Sequence, residues 1–152
     1  MLRITRQTDI GIVVLTLIAG RPAEEFHAAR DLSNRSGISA PMVSKILKQL
    51  SRGGLVESIR GAHGGYRLTR PAADITVGEI IEALEGRIGM TSCVVEPGSC
   101  EIEGACPTQV NWGRISAAVR TALDRVPLTE MIGPRSPVSP ARRERRLIPL
   151  AG

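Results

Sequence analysis

The sequence predicts a mainly α-helical fold with a small β wing, a winged helix-turn-helix followed by a long C-terminal dimerisation helix. Three observations support this. Apolar residues recur at helical spacing along most of the chain, one glycine-rich hairpin pattern lies between residues 55 and 70, and 152 residues contain a single Trp, a single Tyr and a single Phe. A core so poor in aromatics must be filled by aliphatic side chains, which amphipathic helices supply. The expected units are a winged helix-turn-helix domain over 1–86, a cysteine loop over 87–107, a dimerisation helix over 108–132 and a disordered basic tail over 133–152.

Charge is segregated along the chain. Residues 1–70 carry eleven Lys or Arg against five acids, residues 71–132 carry four against nine, and the last twenty carry five Arg against one Glu. The first half therefore suits a polyanion, with nucleic acid the leading candidate.

The first apolar run, "IGIVVLTLIAG" from Ile10 to Gly20, superficially resembles the core of a signal peptide. It is too short to cross a bilayer, and Asp9 sits at its start. Ile10, Val13, Val14, Leu17 and Ile18 fall at i, i+3, i+4, i+7 and i+8, the stripe of a core-facing helix, with Thr8 placed to cap it. The expected location is the cytoplasm, where a structural disulfide is not expected.

The next segment, "FHAARDLSNRSGISAPMVSKILKQLSRGGLVES", gives a short helix ending near Gly37, a tight turn, and a second helix capped by Ser39 with Pro41 in its first turn. On the second helix Met42, Val43, Ile46, Leu47 and Leu50 share an arc of about 140°. Ser44, Lys45, Lys48, Gln49 and Arg52 occupy the opposite arc. One side can pack on a core while the other offers donors and cations to a DNA major groove.

"LVESIRGAHGGYRLTR" reads as strand, turn and strand, with Tyr66 and Leu68 on one face and Arg67 and Thr69 on the other. Gly61, Gly64 and Gly65 allow a turn whose backbone approaches a phosphate, and Arg60, His63 and Arg67 place donors around it. A basic hairpin directly after a helix-turn-helix is a wing. The candidate double-stranded DNA contacts are Ser39, Pro41, Met42, Ser44, Lys45, Lys48 and Gln49 on the helix, with Arg60, His63, Gly64, Gly65 and Tyr66 on the wing.

"ITVGEIIEALEG" then spaces Thr76 and Glu79 as a capping box, and Gly86 stands where the helix should end. After the cysteine loop, "TQVNWGRISAAVRTALDRV" places Trp112, Ile115, Val119, Ala122 and Val126 on a helical stripe widened by Ala118 and Leu123. So much apolar surface at the far end of a small domain calls for a second copy of the same helix, a two-fold homodimer matched to a palindromic site. The tail, with four Pro and five Arg in twenty residues, is expected to be disordered.

All three cysteines, Cys93, Cys100 and Cys106, fall in the loop "CVVEPGSCEIEGAC". The spacing Cys-x6-Cys-x5-Cys is neither a Cys-x2-Cys redox pair nor a zinc ribbon. A loop rich in Gly, Pro, Ser and Glu is no place for structural thiols, which leaves ligation or redox sensing. Three thiolates can hold an iron-sulfur cluster, 2Fe-2S or 4Fe-4S, with one iron position left for another ligand, and zinc with a fourth ligand is the alternative metal. A thiol switch without metal is the rival within regulation. An enzyme is not expected, since His27 and His63 stand without a supporting motif, nor is a small-molecule substrate or a membrane partner. An electron carrier would account for the cysteines but not for the basic helix and wing.

The opening "MLRITRQTDIGI", the block "SAPMVSKILKQLSRGGLVESIRGAHGGYRL" and the three-cysteine loop before a long helix together resemble the iron-sulfur winged-helix regulators typified by IscR and NsrR. The resemblance covers residues 1 to about 130, and the opening and "PTQVNW" are most similar to the SUF-system branch. It implies a dimeric transcriptional repressor that senses cluster status and controls cluster-assembly genes, with one subunit's first helix near the other's cluster. Nitric-oxide or redox-responsive repressors are alternatives within the same family. In cluster-assembly members a histidine three residues after the last cysteine completes the coordination, and here that residue is Gln109. In nitric-oxide-sensing members an Asp at the start of the partner's first helix does so, a position matched by Asp9. Glu101, Glu103 and a solvent thiol compete for that role, and an Asp in a first helical turn also complements the helix dipole.

Overall fold

The protein is described by a computed structural model over residues 4–61 and 64–133. The elements run in the order α1 Arg6–Ala19, α2 Ala29–Ser36, α3 Ala40–Arg52, β1 Val56–Ile59, β2 Gly65–Leu68, α4 Val77–Glu85, the short α5 Ser92–Val95 and the long α6 Gln109–Asp124. Single 3-10 turns lie at Ala72–Asp74, Glu103–Ala105 and Leu128–Met131. The cysteine segment, expected as loop throughout, thus contains one short helix and one tight turn. His63 and residues 134–152 lie outside the described residues.

The core is aliphatic, as the composition requires. Val14, Leu15, Leu32, Ile46, Leu47 and Ile80 are fully buried where α1, α2, α3 and α4 meet. Helices approach closely where a side chain is missing: a Cβ on Gly53, at the end of α3, would lie 2.6 Å from the Ala83 Cβ of α4.

Two expectations for α1 are corrected. The helix begins at Arg6, and Thr5, not Thr8, caps it by accepting a hydrogen bond from the Thr8 amide. Thr8 is buried inside the first turn, where its hydroxyl donates to Glu85 at the end of α4. Val13, placed on the core stripe by spacing, is exposed, and Leu15 takes a core position in its stead. The run is apolar on nearly every side, so periodicity alone could not choose its inner face.

The helix-turn-helix follows the sequence reading. Gly37 ends α2 in the left-handed region at φ 71° and donates to the Ser33 carbonyl, and Ser39 is the N-cap of α3. Strands β1 and β2 pair antiparallel, Val56 opposite Leu68 and Ile59 opposite Gly65. The free side of β2 is closed by His27, which exchanges two backbone hydrogen bonds of 2.9 Å with Tyr66. His27 is 2% exposed, its Nε2 has no partner among the described residues, and burial lowers its pKa, which favours a neutral ring.

Helix α4 has its full capping box: the Thr76 hydroxyl accepts from the Glu79 amide, and the Glu79 carboxylate accepts from the Thr76 amide. Helix α6 buries only Ser116. Val126 falls beyond its end, in a segment that returns to the winged domain. The Val77 amide donates to the Val126 carbonyl at 2.9 Å, the Leu128 amide donates to the Ile75 carbonyl at 2.7 Å, and the Leu128 side chain is fully buried.

The root of the wing depends on Gly65, where a Cβ would come within 2.6 Å of the His27 carbonyl, a backbone group unable to move aside. Gly65→Ala should therefore break the Tyr66–His27 pairing and cost about 2 kcal/mol, the order of two backbone hydrogen bonds. Urea denaturation checks this, and an unchanged midpoint would mean that the pairing contributes nothing to stability.

Candidate DNA interface and cysteine site

The outer face of α3 is open. Val43, Ile46, Leu47 and Leu50 are fully buried, while Ser39, Pro41, Lys45, Lys48 and Arg52 are exposed and Ser44 is half-buried. Lys45 and Lys48 lie one turn apart, and among the described residues neither belongs to an ion pair, so both ammonium groups are available to phosphates or base edges. Two residues of the expected set face elsewhere. Met42 packs half-buried against the core. The Gln49 carboxamide accepts a 3.0 Å hydrogen bond from Gln7 of α1, whose Nε2 also donates to the Leu84 carbonyl of α4.

On the wing, Arg60 is exposed, and Gly64 and Gly65 are half-buried. A Cβ on Gly64 would clash with the Ile59 carbonyl at 2.2 Å, so this turn accepts only glycine. Tyr66 packs against the core. Arg67, read from sequence as a donor near the turn, is already engaged: its guanidinium stacks 4.6 Å from the Phe26 ring centroid and pairs with Glu57 at 2.5 Å.

The cysteine segment forms the second site. Cys93, on α5, is joined by Cys100 in the loop and by Cys106 just ahead of α6; all three are free thiols, half-buried, and line one cavity of about 600 Å³ with Glu101, Thr108 and Trp112. The Cys93 sulfur lies 3.3 Å from the Thr91 hydroxyl, and the Cys106 sulfur 3.4 Å from that of Thr108. The hydrogen bond with the Thr108 side chain, helped by the backbone at Thr108 and Gln109, holds the Cys106 thiol below the usual thiol range.

Among the described residues, no three His, Cys, Asp or Glu side chains are grouped closely enough to hold a metal ion. The chemistry of the lining still fits a thiophilic metal or cluster: three soft donors and one carboxylate share a cavity with room for more than a single ion.

Two other residues singled out from sequence have structural work here. Glu103 accepts from the Gly98 amide at 2.7 Å and from Gln109 Nε2 at 3.0 Å, so both side chains fasten the loop to the start of α6. Asp9 is exposed at the head of α1 and lines a separate groove with Arg6, Gly37, Ser39 and Met42, so one protomer does not bring it to its own cysteines.

Ser116 escaped the sequence reading. Its hydroxyl accepts from the Met90 amide at 3.0 Å and donates to the Trp112 carbonyl at 2.8 Å, tying the start of the cysteine segment to α6. A serine on an apolar helix carries no signal of such a clasp.

A family model described as "Rrf2: Iron-dependent Transcriptional regulator" matches residues 4–134. The chain is 30% identical over 131 residues to protein rrf2 of Nitratidesulfovibrio vulgaris, covering 86% of this chain and 87% of that one. Among solved structures it is similar to CymR (YrzC), the global cysteine regulator of B. subtilis, with a TM-score of 0.66, 29% identity, and coverage of 87% of this chain and 97% of that one. It is also similar to T. potens IscR, with a TM-score of 0.63, 27% identity and 86% coverage of each chain. With the open recognition helix and the wing, these matches make the protein a transcriptional regulator and not an enzyme, and the chain belongs to the Rrf2 family.

Proposed function

We propose that this regulator binds double-stranded operator DNA as a homodimer and represses iron-sulfur cluster assembly (SUF) genes while cluster supply is adequate. The observation that carries this reading is the shared cavity of Cys93, Cys100 and Cys106 at the head of α6, in a chain whose α3 presents two exposed lysines. The exposed apolar residues of α6, Val110, Trp112 and Ile115, supply the face on which a second copy packs. The protein acts in the cytoplasm; no helix among the described residues is long and apolar enough to cross a membrane.

Cys93, Cys100 and Cys106 would hold the cluster, of 2Fe-2S or 4Fe-4S type, which would supply iron–thiolate bonds at the three sulfurs. Glu103, Gln109 and Ser116 keep the loop on α6 so that the thiols share one cavity. The fourth ligand is Asp9 from the second protomer, with Glu101 the carboxylate already in the cavity. On the DNA side, Ser39, Pro41, Ser44, Lys45 and Lys48 meet the major groove, and Arg60, His63, Gly64 and Gly65 the adjoining backbone. Met42, Gln49 and Tyr66 border this surface and support it from within.

Absorption spectra with iron and acid-labile sulfide assays on anaerobically purified protein test the cofactor. Wild type should be brown with iron and sulfide in equal amounts, and Cys100→Ala should be colourless with an operator affinity indifferent to iron. A variant that still loses affinity when stripped of iron would end this reading. Asp9→Ala should load the cluster but lose it faster on dilution, whereas a faster loss in Glu101→Ala alone would move the fourth ligand to the loop.

Lys45→Ala and Lys48→Ala should each weaken operator binding and lower its salt slope by about one, with the cluster spectrum intact. Normal affinity in both variants would move the DNA contact elsewhere.

A second reading is favoured by the lowered thiol range of Cys106. A cluster-free thiol switch would use the same cavity, in keeping with the CymR neighbours, one of which, from Staphylococcus aureus, is an oxidized form. Protein that stays colourless after reconstitution would select it. Nitric-oxide or redox response is the corresponding variant of the cluster reading.

A further inference from the structure

Helix α6 is held to the rest of the chain at its middle and toward its C-terminus. At mid-helix Ser116 clasps the cysteine segment through Met90. Toward its C-terminus Arg120 donates to Glu82 of α4 and, at 3.0 Å, to Asp124 one turn on. Trp112, on the cysteine cavity, and Arg120 are separated by about 12 Å of continuous helix, a rod that transmits displacement from one end to the other.

Helix α4 is the element that receives it. Beside Glu82, Ala83 abuts Gly53 at the end of the recognition helix, and the Leu84 carbonyl shares Gln7 with Gln49 of that helix. On the other side, Glu79 pairs with Arg70 at the wing root at 2.5 Å. A shift of α4 therefore reaches both DNA-facing elements.

The contacts between α6 and α4 differ in kind. The backbone bonds at residues 75–77 and 126–128, with Leu128 in the core, form a fixed pivot. Arg120 is different: its side chain is 40% exposed and Glu82's is 29% exposed, so the pair adds little stability and can re-form in more than one geometry. Asp124 packs against Gly78 in the first turn of α4, and its Oδ1, buried, has no hydrogen-bond partner among the described residues, so Arg120 holds only the other oxygen.

We infer that Arg120, bridging Glu82 of α4 and Asp124 of its own helix, is the positioning residue that couples the cysteine end of α6 to recognition helix α3 and the wing. The inference rests on the proposed sensing role of the cysteine cavity. Cluster loading changes how the loop sits on the head of α6, the rod swings about its 126–128 pivot, and the Arg120–Glu82 contact passes that swing to α4.

The test compares wild type with Arg120→Gln, Glu82→Gln and the conservative Arg120→Lys, each as the full chain. Operator affinity is measured with and without the cluster, alongside iron and sulfide content, and amide hydrogen exchange is followed in both states. Allosteric ratios are commonly about 5- to 150-fold. Both Gln variants should load cluster normally, yet their loaded-to-free affinity ratio should fall to within about two-fold of one, with Arg120→Lys retaining part of the response. The loaded-minus-free exchange difference should persist over 90–118 and vanish over 77–85 and 49–53. A full wild-type ratio in the Gln variants would overturn the coupling alone, as would a failure to load, which would make Arg120 a residue of the cluster site. A ratio of one in wild type itself would instead overturn the sensing role, and the coupling with it.

Discussion

The contact on which the rest of the molecule depends is the packing of α1, α3 and α4. It is aliphatic and close: Leu15, Ile46, Leu47 and Ile80 are fully buried, and Gly11 and Gly53 leave room for Leu84 and Ala83 of α4. Each such side chain contributes about 2 kcal/mol through burial. The same packing fixes which face of α3 points outward. With Val43, Ile46, Leu47 and Leu50 committed to the core, Lys45 and Lys48 have nowhere to go but solvent. The exposed basic face of α3 is thus a geometric consequence of the core.

Helix α6 stands in the opposite condition. Its end is anchored in the winged domain by Leu128, but along its length only Ser116 is buried, and Val110, Trp112 and Ile115 are exposed. The acids of 71–132 do not gather on this helix: between Gln109 and Asp124 stand Arg114 and Arg120 against a single Asp.

The helix-turn-helix, wing and capping box were legible because each depends on local chemistry: Gly37 in a left-handed cap, Ser39 before Pro41, and Thr76 with Glu79 three residues on. Features set by tertiary choice were not. The run from Ile10 to Ile18 is apolar all round, so the exposure of Val13 and the burial of Leu15 follow from where α4 sits. Thr8 looked like a cap because its role inside the helix, bonding Glu85, lies 77 residues away in sequence. Gln49 falls on the polar arc of α3 by spacing, but its partner Gln7 is on another helix. The cysteines announced a site by composition, and Glu103 and Gln109 drew notice as ligand positions, but their part in holding that segment in place, like that of Ser116, left no mark in the sequence.

The way the cysteine segment is held bears on what it can do. The winged core is closed by buried side chains, but this segment depends on a few side-chain hydrogen bonds: Glu103 to Gly98 and Gln109, and Ser116 to Met90. Ile102, in its middle, is 65% exposed. Segments with few buried contacts open at much lower free energy than the core that carries them. A change in ligation or oxidation at Cys93, Cys100 or Cys106 therefore acts on a segment that buries none of its own helix or turn residues and lies outside the packing that holds α3. The cysteine segment is weakly held and α6 is anchored at its end, whereas α4, between α6 and α3, is fixed in the core by Ile80, Ile81 and Leu84.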